Sequence, residues 1–210
     1  MRKMWLTLAV TGLVASLSGG VSAAFGADGP AAPGPDDRVL GKPDAPVTII
    51  EYASFTCPHC AEFDTVTLPE VKKNWIDTGK AKLVYRDFPL DGLALKASEM
   101  TRCAPPDRFF NYVDTLFHDQ ENWARARDPE AALGRIAKLG GMSDEQFQTC
   151  MKDAKLSDRI ASGAMQAQKE YGVNSTPTFF VNGTKVVGAL PYADFEKALN
   201  AALAAAPAKG

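Results

Sequence analysis

The sequence contains 210 residues, of which 46% are hydrophobic and 23% are charged. A disordered chain would have fewer apolar residues and a larger net charge, so the composition indicates a globular protein, most simply of one domain. The formal charge of −2 reflects 23 basic and 25 acidic residues without a basic block, which argues against nucleic acid as a partner. Four cysteines are too few for a disulfide scaffold, although their even number permits pairing.

The N-terminus is typical of a cleavable export signal. Arg2 and Lys3 precede an apolar run over residues 4–17, and small residues follow up to Ala23. The run is shorter than the about 20 apolar residues of a membrane-spanning helix, which favours a signal peptide over a membrane anchor. We therefore expect residues 1–23 to be removed near Ala23 and the mature protein to be periplasmic, in a compartment where disulfides persist.

The segments that flank the folded part have little to bury. Residues 24–37 are rich in proline, glycine and alanine, which predicts a mobile linker, and residues 206–210 form a short tail. The folded unit is therefore expected at residues 38–205.

Strand and helix patterns alternate along this unit. β-branched runs predict strands, apolar residues at helical spacing predict helices, and Asn182-Gly183 between two short strands predicts a hairpin. In chain order the predicted elements are a buried strand at 47–52, a helix from 57 to about 75, a strand at 82–88, a block of three or four helices at about 94–171, hairpin strands at 178–181 and 185–187, and a helix at 194–205. This order indicates an α/β fold with an inserted all-helical subdomain.

The motif Cys57-Pro58-His59-Cys60 carries the strongest chemical signal. Residues three apart on the first turn of a helix are neighbours, so the two sulfurs can form a disulfide without unwinding the helix. The first N–H groups of a helix lack partners and its dipole favours negative charge, so a Cys57 thiolate would be stabilised there. Pro58 suits the first turn, and His59 offers a donor or a positive charge beside the sulfur.

A stabilised thiolate favours the reduced form of the pair. The disulfide is then a good oxidant of other thiols, with Cys57 as the exposed attacking sulfur and Cys60 as the resolving one. A structural bridge would close a very short loop and stabilise little. A metal site needs more ligands than this pair, and His118 is the only other histidine. The sequence thus favours redox catalysis, and we predict neither a metal nor a cofactor.

Three segments together resemble the DsbA-like thiol:disulfide oxidoreductases of the thioredoxin superfamily. They are the stretch from Val39 to Cys60, the motif that begins at Tyr85 (Tyr-Arg-Asp-Phe-Pro-Leu), and the stretch Ser-Thr-Pro-Thr-Phe-Phe-Val-Asn-Gly that begins at Ser175. The resemblance implies a thioredoxin-like fold with an active-site dithiol at Cys57 and Cys60. It also implies that Pro177 follows a cis peptide bond and that Thr176 and Pro177 contact bound substrate.

Glu51 lies six positions before Cys57, where the family carries a buried carboxylate under the active site. Such a group would have a raised pKa and could exchange a proton with Cys60. A strand-end glutamate that faces water is the alternative.

Thr176 departs from the pattern of the strongly oxidising relatives, in which valine is common before the cis-proline. Threonine at this position is frequent in relatives of the isomerase type, so the residue leaves oxidase and isomerase activities open. Known isomerases carry an N-terminal dimerisation domain, and residues 24–37 are too short for one. An oxidase that acts as a monomer is therefore favoured.

Cys103 and Cys150 lie 47 positions apart in the helical block. We expect a structural disulfide between them, because free thiols seldom persist in an oxidising compartment. A second redox couple or two free buried thiols are the alternatives.

Together these features predict an exported protein-disulfide oxidase. Its partners would be reduced or unfolded exported proteins, bound near Pro177 and the loop 188–192, and a membrane reoxidant of the DsbB type. A disulfide isomerase or reductase of the same fold, or a secreted module that binds a metal or a partner without catalysis, is the alternative.

Overall fold

The computed structural model describes residues 29–30, 33–34 and 37–206. The predicted signal peptide at residues 1–23 and its cleavage point lie outside the described residues. Among the helices that are described, none combines the length and the apolar character that crossing a membrane requires.

A five-stranded mixed sheet forms the centre of the molecule. Its strands lie in the spatial order β1-β3-β2-β4-β5, with β2 and β3 parallel and the other neighbours antiparallel. The strands are β1 (Arg38–Gly41), β2 (Val47–Ala53), β3 (Ala81–Asp87), β4 (Thr178–Val181) and β5 (Thr184–Val187). Every residue of β2 is buried, as its β-branched sequence predicts for a central strand.

Strand β1 is the element that the sequence did not reveal. It has only four residues, alternates between half-buried and exposed positions, and pairs with β3 at the edge of the sheet. Gly41 ends it at φ +102°, where an added Cβ atom would lie 2.8 Å from Ile76 Cγ2. Pairing with a strand more than 40 residues away, rather than local hydrophobicity, therefore creates this element.

The predicted mobile linker is anchored where it enters the fold. Asp37 accepts hydrogen bonds from Arg86 Nε at 3.0 Å and Nη2 at 2.8 Å and from the Gly34 N–H at 2.9 Å. The arginine lowers the pKa of this carboxyl group although burial alone would raise it. Asp37 therefore belongs to the folded unit rather than to a free linker.

The helix that connects β2 and β3 carries the cysteine motif, and it is called the active-site helix here. It runs through residues 58–76 as α-helical segments Pro58–Glu62 and Leu68–Val71, which alternate with π-helical turns at Phe63–Thr67 and Lys72–Ile76. Pro69 lacks the N–H group that a regular α-helix would direct at residue 65, which accounts for the irregular winding just before it.

The helical insertion comprises six helices rather than the predicted three or four. They are Gly92–Cys103, Phe109–His118, Gln120–Ala124, Pro129–Leu139, Asp144–Cys150 and Ala154–Tyr171. The breaks at Pro105-Pro106, Asp128-Pro129 and Gly140-Gly141 coincide with the predicted ones. Two further helix breaks occur, at Asp119 and before Ala154. The Asp153 side chain caps the helix Ala154–Tyr171, the last one of the insertion.

The hairpin and the closing helix complete the fold. Asn182 (φ 44°) and Gly183 (φ 90°) form the turn between β4 and β5, as predicted for this dipeptide. The final helix, Tyr192–Ala205, begins two residues earlier than expected because Pro191 precedes it. The arrangement confirms the thioredoxin-like α/β fold with an all-helical insertion.

The largest hydrophobic cluster joins the sheet to the insertion. It includes Cys57, Cys60 and Tyr85 from the sheet side together with Phe109 and Trp123 from the insertion. Phe55 stacks on Tyr85 with ring centroids 5.6 Å apart. The cysteine motif therefore lies at the boundary between the two parts of the molecule.

Candidate active site

Cys57 lies immediately before the first turn of the active-site helix. Its backbone is extended (φ −83°, ψ 118°), and its carbonyl oxygen accepts the N–H groups of Cys60 at 3.1 Å and Ala61 at 3.2 Å. Pro58 takes a first-turn position, where a missing N–H group sacrifices no helical hydrogen bond. The sequence prediction of a helix that begins at this motif is confirmed.

The two sulfurs differ in their burial. Both thiols are free, and 6% of Cys57 is exposed compared with 0% of Cys60. The expectation of a well-exposed Cys57 is therefore wrong, because the Cys57 thiol donates a hydrogen bond at 3.3 Å to the carbonyl oxygen of Thr176, which covers it. Cys57 is nonetheless the more accessible of the two sulfurs.

The pKa of the Cys57 thiol is lowered from its ordinary value of 9.0 to about 5. The hydrogen bond from the Cys60 thiol is the largest cause, and the Thr176 side chain and the N–H groups of Cys60 and His59 lower the pKa further. Burial opposes these effects but does not outweigh them. In the reduced protein Cys57 is thus a thiolate at neutral pH.

Cys60 behaves in the opposite way. Its pKa is raised well above 9.0, chiefly by burial and further by the hydrogen bond to Cys57 and the charges of Cys57 and Glu51. Cys60 therefore keeps its proton and serves as the donor that stabilises the Cys57 thiolate. The pair holds one proton between two sulfurs.

The loop before β4 lies against the dithiol. The Thr176–Pro177 peptide bond is cis, and the Pro177 carbonyl oxygen accepts the Gly188 N–H at 2.9 Å, which fastens this loop to the segment after β5. The Thr176 hydroxyl is buried and has no hydrogen-bond partner among the described residues while Cys57 is a neutral thiol. A Cys57 thiolate, which no longer donates to the carbonyl, gives this hydroxyl an acceptor.

Glu51 lies on the buried strand β2, and only 2% of it is exposed. Its Oε1 atom has no hydrogen-bond partner among the described residues. Burial raises the pKa of this carboxyl group well above 4.5, and the charge of Asp64 raises it further. The water-facing alternative is thus contradicted by the burial of Glu51.

Comparisons with known proteins agree with this geometry. The family model described as thioredoxin matches residues 34–201. The crystal structure of Wolbachia pipientis alpha-DsbA1 is 32% identical, with a TM-score of 0.76, over 82% of this chain and 93% of that chain. The chain belongs to the DsbA-like thiol:disulfide oxidoreductases.

Two curated relatives of this DsbA-like chain also have names that refer to disulfide chemistry. Disulfide bond formation protein D of Bacillus subtilis is 28% identical over 164 residues, which cover 76% of this chain and 72% of that protein. A Rickettsia bellii protein named as a candidate protein-disulfide oxidoreductase is 33% identical over 151 residues, which cover 71% of this chain. The match spans only 58% of the length of the Rickettsia protein.

Gln120 is a site residue of this DsbA-like chain that the sequence did not reveal. It is buried, and its side-chain Nε2 donates to the carbonyl oxygens of Phe55 at 2.8 Å and Cys57 at 3.0 Å. It thus links the insertion to the loop that leads into the dithiol. A glutamine among polar neighbours in a helix gives no signal of such a contact in one sequence.

Asp64 is a second residue that sequence reasoning missed. It follows Cys60 by one helical turn, and only 6% of it is exposed. Its pKa is raised from 3.8 to about 7, chiefly by burial and further by the charge of Asp114, while His118 and Lys72 lower it. The available signal was its spacing, since Asp64 lies four residues after Cys60 and four before Leu68 and therefore on the apolar face of the predicted helix.

The His59 side chain does not have the role that was predicted for it, as a donor or positive charge beside the Cys57 sulfur. The ring is largely exposed, and its Nδ1 lies 3.2 Å from Glu62 Oε2. The N–H group of His59, rather than its imidazole, is among the causes of the low Cys57 pKa. The predicted donor therefore comes from the backbone of this residue.

Cys103 and Cys150 form a disulfide with an S–S distance of 2.00 Å and a Cα–Cα distance of 6.1 Å. The bond joins the ends of two insertion helices, Gly92–Cys103 and Asp144–Cys150. This disulfide is separate from the Cys57–Cys60 pair, whose thiols are free, and Cys150 is buried.

Proposed function

We propose that this chain is an exported dithiol oxidase that transfers the Cys57–Cys60 disulfide to reduced, unfolded exported proteins. The observation that supports the direction of transfer is the low pKa of Cys57, about 5, beside a Cys60 whose pKa is raised. A protein that stabilises its own thiolate favours its reduced form, so its disulfide readily oxidises other thiols.

The reaction proceeds through two exchanges. A substrate thiolate attacks Cys57 Sγ, which forms a mixed disulfide and breaks the Cys57–Cys60 bond, and Cys60 leaves as a thiolate that takes up a proton. A second thiolate of the same substrate then attacks the substrate sulfur that is bonded to Cys57. The substrate gains a disulfide, the bond to Cys57 breaks, and Cys57 leaves as a stable thiolate. The substrate loses two electrons and the enzyme gains them.

Glu51 is the proposed proton donor and acceptor for Cys60. Its carboxyl group is buried with its pKa raised, its charge acts on Cys60, and Oε1 has no competing partner among the described residues. A protonated Glu51 can protonate the departing Cys60 thiolate and take the proton back when the pair is oxidised again.

Substrate binding is assigned to the cis-proline loop and its surroundings. The Thr176 carbonyl oxygen, just before Pro177, accepts a hydrogen bond from Cys57 at 3.3 Å, and Thr67 Oγ1 donates to the Leu190 carbonyl at 2.9 Å, which holds the 188–192 loop beside the active-site helix. Leu90 is 53% exposed, and its N–H donates to Ser54 Oγ next to the motif. These groups would offer an unfolded peptide both apolar contact and backbone partners.

The cellular part of the proposal concerns export and reoxidation. The sequence pattern of residues 1–23 supports export to the periplasm, and a membrane protein of the DsbB type would accept the two electrons from the reduced dithiol. N-terminal sequencing of the protein from a periplasmic extract tests the export step, and the first residue should be Ala24.

The test of activity is oxidation of a reduced peptide that contains two cysteines by stoichiometric oxidised protein. Wild type should convert the peptide to its disulfide, with a mass loss of two hydrogen atoms, whereas Cys57→Ala and Cys60→Ala, neither of which can carry the Cys57–Cys60 disulfide, should both be inactive. The matched control is Cys103→Ala/Cys150→Ala, which lacks the other disulfide and should remain active.

Full activity of Cys57→Ala, or loss of activity only in the Cys103/Cys150 variant, would contradict the proposal. An isomerase would act instead on a peptide with mispaired disulfides and would do so best when supplied in its reduced form.

A further inference from the structure

Three side chains outside the dithiol converge where the active-site helix meets the insertion. Asp64 lies on the π-helical turn Phe63–Thr67, while Asp114 and His118 are one turn apart on the helix Phe109–His118. His118 Nδ1 is 3.9 Å from Asp64 Oδ1 and 3.5 Å from Asp114 Oδ1. One potential ligand atom from each residue lies within 4.8 Å of the other two.

The Asp64 carboxylate is the unusual member of this cluster. Its side chain is 5% exposed, and Oδ1, the atom directed toward His118, has no hydrogen-bond partner among the described residues. An unsatisfied buried carboxylate oxygen is unfavourable unless a charge partner occupies the adjoining space. The proposed thiol exchange does not use this atom, so the cluster needs a separate explanation.

The other two members face solvent and can admit an ion. The Asp114 side chain is 64% exposed and that of His118 is 53% exposed. Their i, i+4 spacing places both on one face of the helix, the arrangement that lets two side chains bind one metal ion. Asp64 then supplies the third ligand from the opposite element.

The donor set selects a class of ion. One imidazole nitrogen and two carboxylate oxygens suit a dication such as Zn²⁺, whose ligands in a tetrahedral site are separated by roughly 3.3 Å. The two separations from His118 Nδ1, 3.5 and 3.9 Å, are close to that value, and the Asp64 and Asp114 oxygens, which lie within 4.8 Å of each other, would approach when the ion binds. Ca²⁺ takes about six to eight oxygen ligands and is poorly matched to this set.

We propose that Asp64, Asp114 and His118 bind a transition-metal dication of the Zn²⁺ class, with water as a fourth ligand. His118 Nδ1 now lies 3.0 Å from the Asp114 carbonyl oxygen, and the bond to the metal replaces that hydrogen bond. The ion neutralises the two carboxylates and joins the active-site helix to the insertion.

The test uses the oxidised protein, because free Cys57 and Cys60 thiols would themselves bind Zn²⁺. Calorimetric titration with ZnCl₂ should give one site per chain. The His118→Gln and Asp114→Asn variants should each bind at least about tenfold more weakly, since each loses one of three ligands. His59→Gln removes the only other histidine in the sequence and should bind like wild type.

Two further readouts locate the ion and keep the proposal open to refutation. Co²⁺ bound at the same place should give visible absorption bands that Zn²⁺ abolishes and an excess of Ca²⁺ does not. Zn²⁺ should also raise the thermal midpoint of oxidised wild type and of His59→Gln, but not of Asp114→Asn. Absence of saturable binding, binding that survives in His118→Gln, or binding that disappears in His59→Gln would overturn the proposal.

Discussion

Gln120 donates its side-chain amide to the carbonyl oxygen of Cys57 at 3.0 Å, so a residue of the insertion holds the backbone of the reactive cysteine. The same amide nitrogen bonds to Phe55 O at 2.8 Å, and the two bonds fix the loop that enters the active-site helix. Both carbonyl oxygens are buried together with this side chain. If the two hydrogen bonds are lost, water can therefore replace them only in part.

Gln120→Leu should therefore lower the free energy of unfolding by about 1–3 kcal/mol, because it removes the side-chain donor to the buried Phe55 carbonyl oxygen and one of the donors to the Cys57 carbonyl oxygen. Chemical denaturation of the oxidised protein measures this change. Gln166→Leu is the control, since Gln166 is exposed and bonds only to nearby Glu170 at 2.9 Å among the contacts described. Equal effects of the two substitutions would contradict the proposed role of Gln120.

Thr176→Val should raise the pKa of Cys57 above its value of about 5, because the thiolate loses the hydroxyl donor beside it. Ultraviolet absorbance of the thiolate, followed during a pH titration of the reduced protein, reports this pKa. The bonded Cys103 and Cys150 do not titrate and leave the signal clear. Thr184→Val, on the exposed strand β5, should have no effect, and an unchanged pKa in Thr176→Val would remove this residue from the account.

The stability of the reduced protein should depend on pH through Cys57. The folded pKa of about 5 lies below the value of 9.0 for an unperturbed thiol. The thiolate contribution is therefore complete above pH about 9 and declines as the pH falls through about 5. Denaturation of the reduced and oxidised forms at several pH values should show their difference shrinking on acidification. A difference that grows on acidification would contradict the assignment.

Asp64→Asn should stabilise the protein at high pH when a chelator is present. The folded pKa of Asp64, about 7, lies above the ordinary value of 3.8, so its ionisation opposes folding. Wild type is unaffected by this penalty below pH about 3.8 and loses stability as the pH rises through about 7. The gain at pH about 8 is at most about 4 kcal/mol. Asp114→Asn, at an exposed position, should give a much smaller gain, and equal gains would contradict the role of burial.

Removal of the insertion disulfide by Cys103→Ala/Cys150→Ala should cost about 4 kcal/mol of stability, as expected from the entropy of closing a loop of this length. Thermal and chemical unfolding of the variant measure the loss. Compared with oxidised wild type, Cys57→Ala/Cys60→Ala, which removes the short-loop disulfide, should change the stability far less than this. The reverse order would show that the long loop is not the source of the stabilisation.

The dithiol and its helix were predictable because their chemistry is local in sequence. Four consecutive residues from Cys57 to Cys60 define the motif, and Asn182-Gly183 defines the hairpin that follows the cis-proline. The contacts of Gln120 and Asp64 could not be predicted, because each depends on how the insertion packs against the sheet. The covering of Cys57 by Thr176, 119 positions away, escaped prediction for the same reason.

The shared cluster that joins Cys57 and Cys60 to Phe109 and Trp123 limits how this protein can be re-engineered. Excising residues 92–171, or exchanging them for the helices of another relative, would strip one wall from around the sulfurs. The groups that lower the pKa of Cys57 lie outside the excised segment, but the burial that keeps Cys60 protonated would be reduced. The difference between the two sulfurs is in this sense a joint property of two segments that a sequence alignment would treat as separable.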